Sequence, residues 1–312
     1  MRLQVAIVTD DREGWHGTRL RHAFRRRGVD VRLVSLRACR IDLTHGYRGI
    51  GIPGFERRLP DGVFVRGISG GTLEQIVMRL DVLHALRESG IPVYNDARAV
   101  ERTVDKGMTS FLLHSAGIAT PPTCVTESPA RARAFLLREA ASGHDVVVKP
   151  LFGAQGVGLL RLASGSDIPD PAQQNGVWYL QRFVETGRGR GEDQGGWHDW
   201  RVFVIGGVAV AAMVRHGVTW VNNVAQGGRC EPAPLDPELA RLAVRATAVV
   251  GADYAGVDLI SDRNGGFQVL EVNGVPAWRG LQSVTRTDIA ERLVDDFLSR
   301  RLARRAEAAG DG

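Results

Sequence analysis

Two lysines stand out in a chain that otherwise uses arginine. Of its 40 Lys and Arg residues, only Lys106 and Lys149 are lysine. Where any cation suffices this sequence supplies Arg, so a retained Lys points to a need for a compact, flexible ammonium. Lys149 closes the apolar run DVVVK (145–149) and is followed by Pro150 and the loop GAQGVG (153–158). A lysine leaving a strand beside a glycine-rich hairpin can reach phosphates. The backbone N–H groups of such a hairpin fold over an anion with no side chain in the way. Hairpins with three glycines are common, so Gly153, Gln155, Gly156 and Gly158 do not decide the matter alone. Lys106, in TVDKG (103–107), reads equally as a surface residue of a helix, and only the arginine bias speaks for it.

A second cluster lies near the C-terminus, in FQVLEVN (267–273). Glu271 and Asn273 are two apart on an expected strand and so share a face. Asp258 falls on the partner strand of the same expected hairpin. Two carboxylates and an amide oxygen are hard ligands suited to Mg²⁺ bridged to phosphates. A strand otherwise rich in Val and Leu makes an inward Glu costly unless it is paired or metal-bound.

Other chemistries are disfavoured. GAQGVG has strands expected on both sides, whereas a dinucleotide fingerprint runs from strand to helix near the chain start. No GxxxxGK[ST] phosphate loop occurs. The three cysteines, Cys39, Cys124 and Cys230, lack metal spacing and read as reduced thiols. The net charge of +5 is mild and the arginines are scattered, which argues against a nucleic-acid partner. No apolar run approaches a membrane span, and the short apolar start is not a secretory signal, so a cytoplasmic location is expected.

The elements that must position these residues form three parts. Residues 1–97 alternate apolar strands (3–8, 31–34, 63–66, 92–94) with helices, which predicts an α/β layer with a parallel sheet. Thr72, with Gln75 three residues on, has the pattern of a capping box opening a helix. Residues 98–185 begin with one helix over about 98–115, bend at 120–123, continue with a helix at 128–141, and carry the glycine hairpin and a strand at 177–184. Residues 186–302 contain two hairpins, around Gly206-Gly207 and around 262–265, a helix at 237–250 and a closing helix at 289–303. Residues 303–312 are expected to be a frayed tail.

The pieces Lys106, Lys149-Pro150, GAQGVG, Gln181-Arg182-Phe183-Val184, Asp199-Trp200-Arg201, Asn223 with Gly227-Gly228, Asp258 and Glu271-Val272-Asn273 occur in an order that resembles the ATP-grasp carboxylate–amine ligases. The resemblance spans about residues 98–302. The first 95 or so residues look like the α/β domain that usually precedes that fold. The expected class is therefore α/β, α+β in the ATP-grasp part: an N-terminal parallel-sheet pre-ATP-grasp domain followed by a two-subdomain ATP-grasp fold. The similar subgroup is the glutamate ligases around the ribosomal-protein glutamyl ligase. Residues 65–75, 103–110 and 271–282 most resemble glutamate ligases of a tetrahydromethanopterin-type cofactor. One departure is Val221, where the ribosomal-protein type often has Arg two residues before the asparagine.

The resemblance implies roles. Lys106, Lys149 and the glycine loop contact ATP phosphates. Gln181, Arg182, Phe183 and Val184 hold adenine, mainly through backbone groups, with Asp199 near the ribose. Asp258, Glu271 and Asn273 hold Mg²⁺, with Mn²⁺ as the alternative ion. Arg215 and Asn223 face the γ-phosphate and an acyl-phosphate intermediate. Carboxylate substrates call for fork-like donors, for which Arg66, Arg201, Arg215 and Arg279 are candidates. The implied partners are ATP, L-glutamate and a carboxylate-bearing acceptor. A furan-type cofactor, a peptide or a ribosomal protein are alternative acceptors, and a non-catalytic nucleotide-binding module is the alternative from another class. The sequence is compatible with a homo-oligomer and leaves the number of copies open.

Overall fold

Alternating apolar strands and helices open the chain. The computed structural model describes residues 2–44, 47–153, 156–186, 196–221, 227–262 and 265–303. The first elements are β1 (Gln4–Val8), α1 (Trp15–Arg26), β2 (Asp30–Val34), a short pair β3 (Arg40–Ile41) and β4 (Ile50–Gly51), β5 (Gly62–Val65), α2 (Leu73–Glu88) and β6 (Val93–Tyr94). The order β2-β1-β5-β6 makes a parallel sheet, as the alternation predicts. The capping box at α2 forms in full: the Thr72 hydroxyl accepts from the Gln75 amide, and the Gln75 side chain accepts from the Thr72 amide.

The expected single helix over 98–115 is two helices, α3 (Ala97–Val104) and α4 (Lys106–Ser115). Asp105 between them is extended (φ −82°, ψ 101°), and its carboxylate accepts from the Met108 amide at 3.0 Å as the N-cap of α4. The break moves Lys106 from mid-helix to the first residue of α4, where both its ammonium and the helix dipole are positive.

Then come β7 (Thr123–Thr126), α5 (Pro129–Ala141), β8 (Val146–Lys149), β9 (Leu160–Leu162) and β10 (Trp178–Arg182). They form an antiparallel sheet in the order β7-β10-β8-β9. The Thr-Pro-Pro-Thr bend leads straight into β7, which the sequence reading had not separated from it. This sheet has its own small core of Phe135, Leu136, Val146, Val148, Trp178 and Leu180.

The last part holds β11 (Trp197–Ile205), β12 (Val208–Gly217), β13 (Arg229–Ala233), α6 (Pro237–Val250), β14 (Tyr254–Ser261), β15 (Phe267–Asn273), α7 (Arg279–Val284) and α8 (Ile289–Asp296), which runs into a π-helical turn at Phe297–Leu302. Its sheet order is β13-β12-β11-β14-β15, antiparallel throughout. Both strands around Gly206-Gly207 are longer than their apolar stretches, because their outer halves carry the polar residues of the site. β13 and α7 were missed. β13 contains Pro232, which an edge strand tolerates.

The N-terminal and C-terminal sheets share one core. Tyr94 stacks on Tyr254 at 5.2 Å between centroids, Phe64 on Tyr254 at 5.5 Å, and Phe24 meets Phe297 edge-on at 5.7 Å. Asn95, fully buried beside Tyr94, donates to the carbonyls of Tyr254 and Gly274, both at 2.7 Å, and accepts from the amides of Asp253 and Tyr254. That amide therefore fixes the start of β14 to the turn after β15. Among the described residues no helix is long and apolar enough to cross a membrane. Most of the expected tail, residues 304–312, lies outside the described residues.

Candidate active site

Strand register alone lines up five charges on one face of the C-terminal sheet. Arg215 lies opposite Asp199 across β12 and β11, Arg201 opposite Asp258 across β11 and β14, and Asp258 opposite Glu271 across β14 and β15. Directly opposed residues share a face, as do 199 and 201, two apart on one strand. The hydrogen bonds follow the row. Arg215 grips Asp199 with Nε and Nη2, both at 2.7 Å, and its Nη2 lies 3.0 Å from Asp258 Oδ2. Arg201 donates to both oxygens of Asp258, Nε at 2.7 Å and Nη2 at 2.8 Å. Burial alone would raise the Asp258 carboxyl, but Arg201 and Arg215 outweigh it and hold it down at about 2. Asp199 was expected near a ribose; both of its oxygens instead orient Arg215, and only 7 % of the residue is exposed.

The two lysines meet the acidic end of this row. Lys149 Nζ donates to Gln181 Oε1 at 2.6 Å and lies 5.7 Å from the Tyr179 ring centre. Gln181 donates in turn to Thr123 Oγ1 and to the Tyr179 hydroxyl, both at 3.0 Å, and that hydroxyl is 2.8 Å from Ser110 Oγ on α4. This polar chain ties the lysine on β8 to the helix that begins with Lys106. Burial pushes the Lys149 ammonium down and Lys106 adds to that, while Glu271 and Asp258 pull it back, leaving it at about 8. Burial also lowers Lys106, against the pull of Glu271 and Asp105. Glu271 thus sits in the field of both lysines.

Lys106 Nζ donates to the Gly153 carbonyl at 2.8 Å, which pins the entry of the glycine loop over the N-terminus of α4. Gly156 (φ +71°) and Gly158 (φ +77°) have left-handed backbones, and a Cβ on Gly158 would meet the Pro150 ring at 2.9 Å. Both positions need glycine. Gln155 and Asn223 lie outside the described residues.

Gln181 and Arg182 do not offer their side chains to a base. Gln181 belongs to the lysine network, and Arg182 turns to Glu139 on α5 at 2.6 Å. The Phe183 amide is taken by the Asp145 carbonyl at 2.8 Å. The Phe183 ring packs edge-on against Trp197 and Trp220 and lies 3.9 Å from the guanidinium carbon of Arg161. The sequence reading missed this aromatic group, because its members lie far apart in the chain.

Asp258, Glu271 and Asn273 satisfy a simple test for a hard cation. The first two are register partners and Asn273 is two residues along β15. Asp258 accepts three N–H groups, two on Oδ2 and one on Oδ1. A carboxylate has about four lone-pair sites, so one remains on Oδ1 for an ion. Asn273 Oδ1 accepts from the Val275 amide at 2.9 Å, which orients it. Among the described residues no group of three His, Cys, Asp or Glu is arranged for metal binding, so the set needs its amide ligand, with phosphate and water to complete the shell.

The remaining predicted arginines lie on the other side of the turn after β15. Arg66, at the end of β5, donates through Nη1 to the Val275 carbonyl at 3.2 Å and lies over the Trp278 ring at 5.1 Å. It lines a cavity of about 230 Å³ together with Thr9, Asp11, His16, Gly17 and Gly67. His16 Nε2 accepts from the Trp278 amide at 3.0 Å. Burial, then Arg66 and Arg279, depress this imidazole to about 3, so it is neutral at physiological pH. Arg279 is exposed at the start of α7, within electrostatic reach of His16.

Residues 103–297 match the model of the RimK-like ATP-grasp domain, and residues 3–100 that of the RimK PreATP-grasp domain. The chain belongs to the RimK-like ATP-grasp family. It is a ligase that forms C–N bonds between an acid and an amine. Among its relatives, the tetrahydromethanopterin:alpha-L-glutamate ligase of Methanococcus maripaludis is 35 % identical over 76 % of this chain and 78 % of its own length. That of Methanosarcina acetivorans is 27 % identical over 94 % and 98 %. The probable alpha-L-glutamate ligase of Thioalkalivibrio sulfidiphilus is 29 % identical over 99 % and 100 %. The same fold is seen in the ATP-grasp ligase PsnB, solved with minimal precursor, Mg and ADP (TM-score 0.71, 21 % identity, 96 % and 98 % covered), and in the D-cycloserine synthetase DcsG (TM-score 0.69, 20 % identity, 95 % and 99 % covered).

Proposed function

We propose that this ligase joins L-glutamate to a carboxylate on a tetrahydromethanopterin-type acceptor, using ATP and Mg²⁺. The observation that carries the ATP part is the meeting of Lys106, Lys149 and Glu271 at the end of an ordered charge row. The names of the relatives at 35 % and 27 % identity support glutamate and the acceptor class.

In this reading Lys149 and Lys106 hold ATP phosphates. The α4 N-terminus adds dipole charge, and the glycine loop pinned through Gly153 covers them. With the Phe183 amide already spent, the nucleobase edge is met from Val184 onward, beside the Phe183–Trp197–Trp220 aromatic group. Asp258, Glu271 and Asn273 would hold Mg²⁺, which supplies charge neutralisation on the transferring phosphoryl group. Asp199 fixes Arg215, and Asp258 fixes Arg201, so that each guanidinium presents its remaining Nη1 in a set direction. Preorganised cations of this kind stabilise charge developing on the γ-phosphoryl group and on the acyl phosphate. The resemblance assigns Asn223, which lies outside the described residues, to the same intermediate. The acceptor carboxylate attacks the γ-phosphorus and ADP leaves. The glutamate amine, once deprotonated, then attacks the acyl carbon and phosphate leaves. The amide forms without a protein nucleophile. Arg66 and Arg279 are the cations left over for substrate carboxylates.

The test is ADP release with Mg-ATP, L-glutamate and a panel of carboxylate acceptors, followed by mass spectrometry of the acceptor. A gain of glutamyl mass on the pterin-type acceptor is expected. ADP release without such a gain, or none above background with any acceptor, would sink the reading.

A further inference from the structure

The lysine on β8 is held differently from the two arginines of the charge row. Arg215 and Arg201 are each gripped by a carboxylate, which offsets their charge. Lys149 is held by the neutral amide of Gln181, at 2.6 Å. Among the described residues that amide oxygen is the one hydrogen-bond acceptor of the ammonium, and no carboxylate is bonded to it. Two of its three N–H groups therefore remain for a ligand.

Register builds the holder. Tyr179 lies opposite Lys149 across β10 and β8, and Gln181 lies opposite Thr123 across β10 and β7. Tyr179 and Gln181 are two apart on one strand, so all four side chains share a face of the central sheet. There the amide has no freedom to turn. Its two N–H groups are spent on Thr123 Oγ1 and the Tyr179 hydroxyl, both at 3.0 Å. The Thr123 hydroxyl gives its own proton to the Pro121 carbonyl at 2.8 Å, which leaves its lone pairs for Gln181. The Tyr179 hydroxyl is tied on its other side to Ser110 Oγ at 2.8 Å. Ser110 follows Lys106 by one turn of α4, so the helix that carries the second lysine braces the chain. A flipped amide would set N–H groups against an ammonium and lose both donations. Gln181, Tyr179 and Ser110 are all buried, so a partner lost there is costly.

We infer that Gln181 is a positioning residue for phosphate binding: it aims the Lys149 ammonium through a neutral acceptor, and Thr123, Tyr179 and Ser110 hold the amide in place. The inference rests on the reading of Lys149 as a phosphate contact and adds the side chains that set its direction. The neutrality of the holder matters. A carboxylate at this position would pair with the ammonium and compete with phosphate for it.

Displacement of a fluorescent ADP analogue from the full chain by ADP and by adenosine, with Mg²⁺ present, tests it. Adenosine lacks the phosphates and reports on the base site alone. In Gln181→Glu the hydroxyls of Thr123 and Tyr179 can turn their protons to the new carboxylate, so the side chain stays satisfied while the Lys149 charge is offset. Its Kd for ADP should rise at least tenfold, with that for adenosine within twofold of wild type. Tyr179→Phe keeps the ring and strands one amide N–H, and should raise the Kd for ADP about threefold, again with adenosine unchanged. Lys149→Met is the reference and should weaken ADP at least as much as Gln181→Glu. Wild-type ADP affinity in both Gln181→Glu and Tyr179→Phe, with Lys149→Met weakened, overturns the inference alone. So does an equal loss of ADP and adenosine in Gln181→Glu, which would put the amide against the base. Unchanged ADP affinity in Lys149→Met removes the phosphate reading, and the inference with it.

Discussion

Asp258→Asn is the sharpest test of the charge row. The carboxylate accepts from Arg201 at 2.7 and 2.8 Å and lies 3.0 Å from Arg215, and the three side chains are only 9, 13 and 5 % exposed. The amide keeps the shape, removes the charge and turns an NH₂ toward guanidinium donors. Breaking a buried pair from one side costs about 3–5 kcal/mol. Arg215 retains Asp199, so one guanidinium rather than two is left uncompensated, which places the loss near 3 kcal/mol. The carboxyl pKa gives a second route. A fall from 3.8 to about 2 corresponds to about 2.5 kcal/mol. Because the folded value is depressed, this stability is present above pH 3.8 and is lost as pH falls toward 2. At about 2–4 °C per kcal/mol, the melting temperature should fall by about 6–12 °C. Urea unfolding followed by circular dichroism measures the loss, and 0.5 M salt should leave it unchanged because the pair is shielded from solvent. Adding Arg201→Met should recover part of it, since the stranded charge goes too. A loss below about 0.5 kcal/mol would mean that the row behaves as a solvated surface pair, and the argument for a preorganised site would fail.

Three further outcomes follow from the same geometry. Lys149→Arg should lower kcat/KM for ATP on the order of 100-fold while leaving the melting temperature within a few degrees, because a planar fork does not present the compact charge that Gln181 and Tyr179 hold in place; steady-state kinetics at near wild-type rates would refute it. Nucleotide affinity should fall as pH rises through about 8, as the depressed Lys149 ammonium loses its proton, and the step should vanish in Lys149→Met, read by ADP titration from pH 7 to 9.5. His16, depressed from 6.5 to about 3, should cost stability as pH falls from 6.5 toward 3, because only the unfolded chain protonates there; urea unfolding of His16→Gln should show a shallower loss over that window.

Several residues of the candidate site were legible in the sequence. Arginine bias singled out Lys106 and Lys149, and period-two spacing put Glu271 and Asn273 on one face. Lys106 had the weaker case, because its helix read as continuous; Asp105 breaks that helix and brings the ammonium to a helix N-terminus beside Gly153. The N-terminal alternation and the Thr72 capping box were local features and came through intact. What local pattern could not carry was pairing. Asp199 looked available to a ligand, yet a register set over β11 and β12 gives both its oxygens to Arg215. Arg66 was one arginine among many until the Val275 turn and the Trp278 ring gathered around it. The sequence determined which residue types face which side of each strand and where most helices begin, because these depend on neighbours a few positions apart. Tertiary structure decided which charges are spent on one another and which remain for a ligand, because partners from 16 to more than 200 residues apart meet only when the strands pair and the N-terminal and C-terminal sheets close on their shared core.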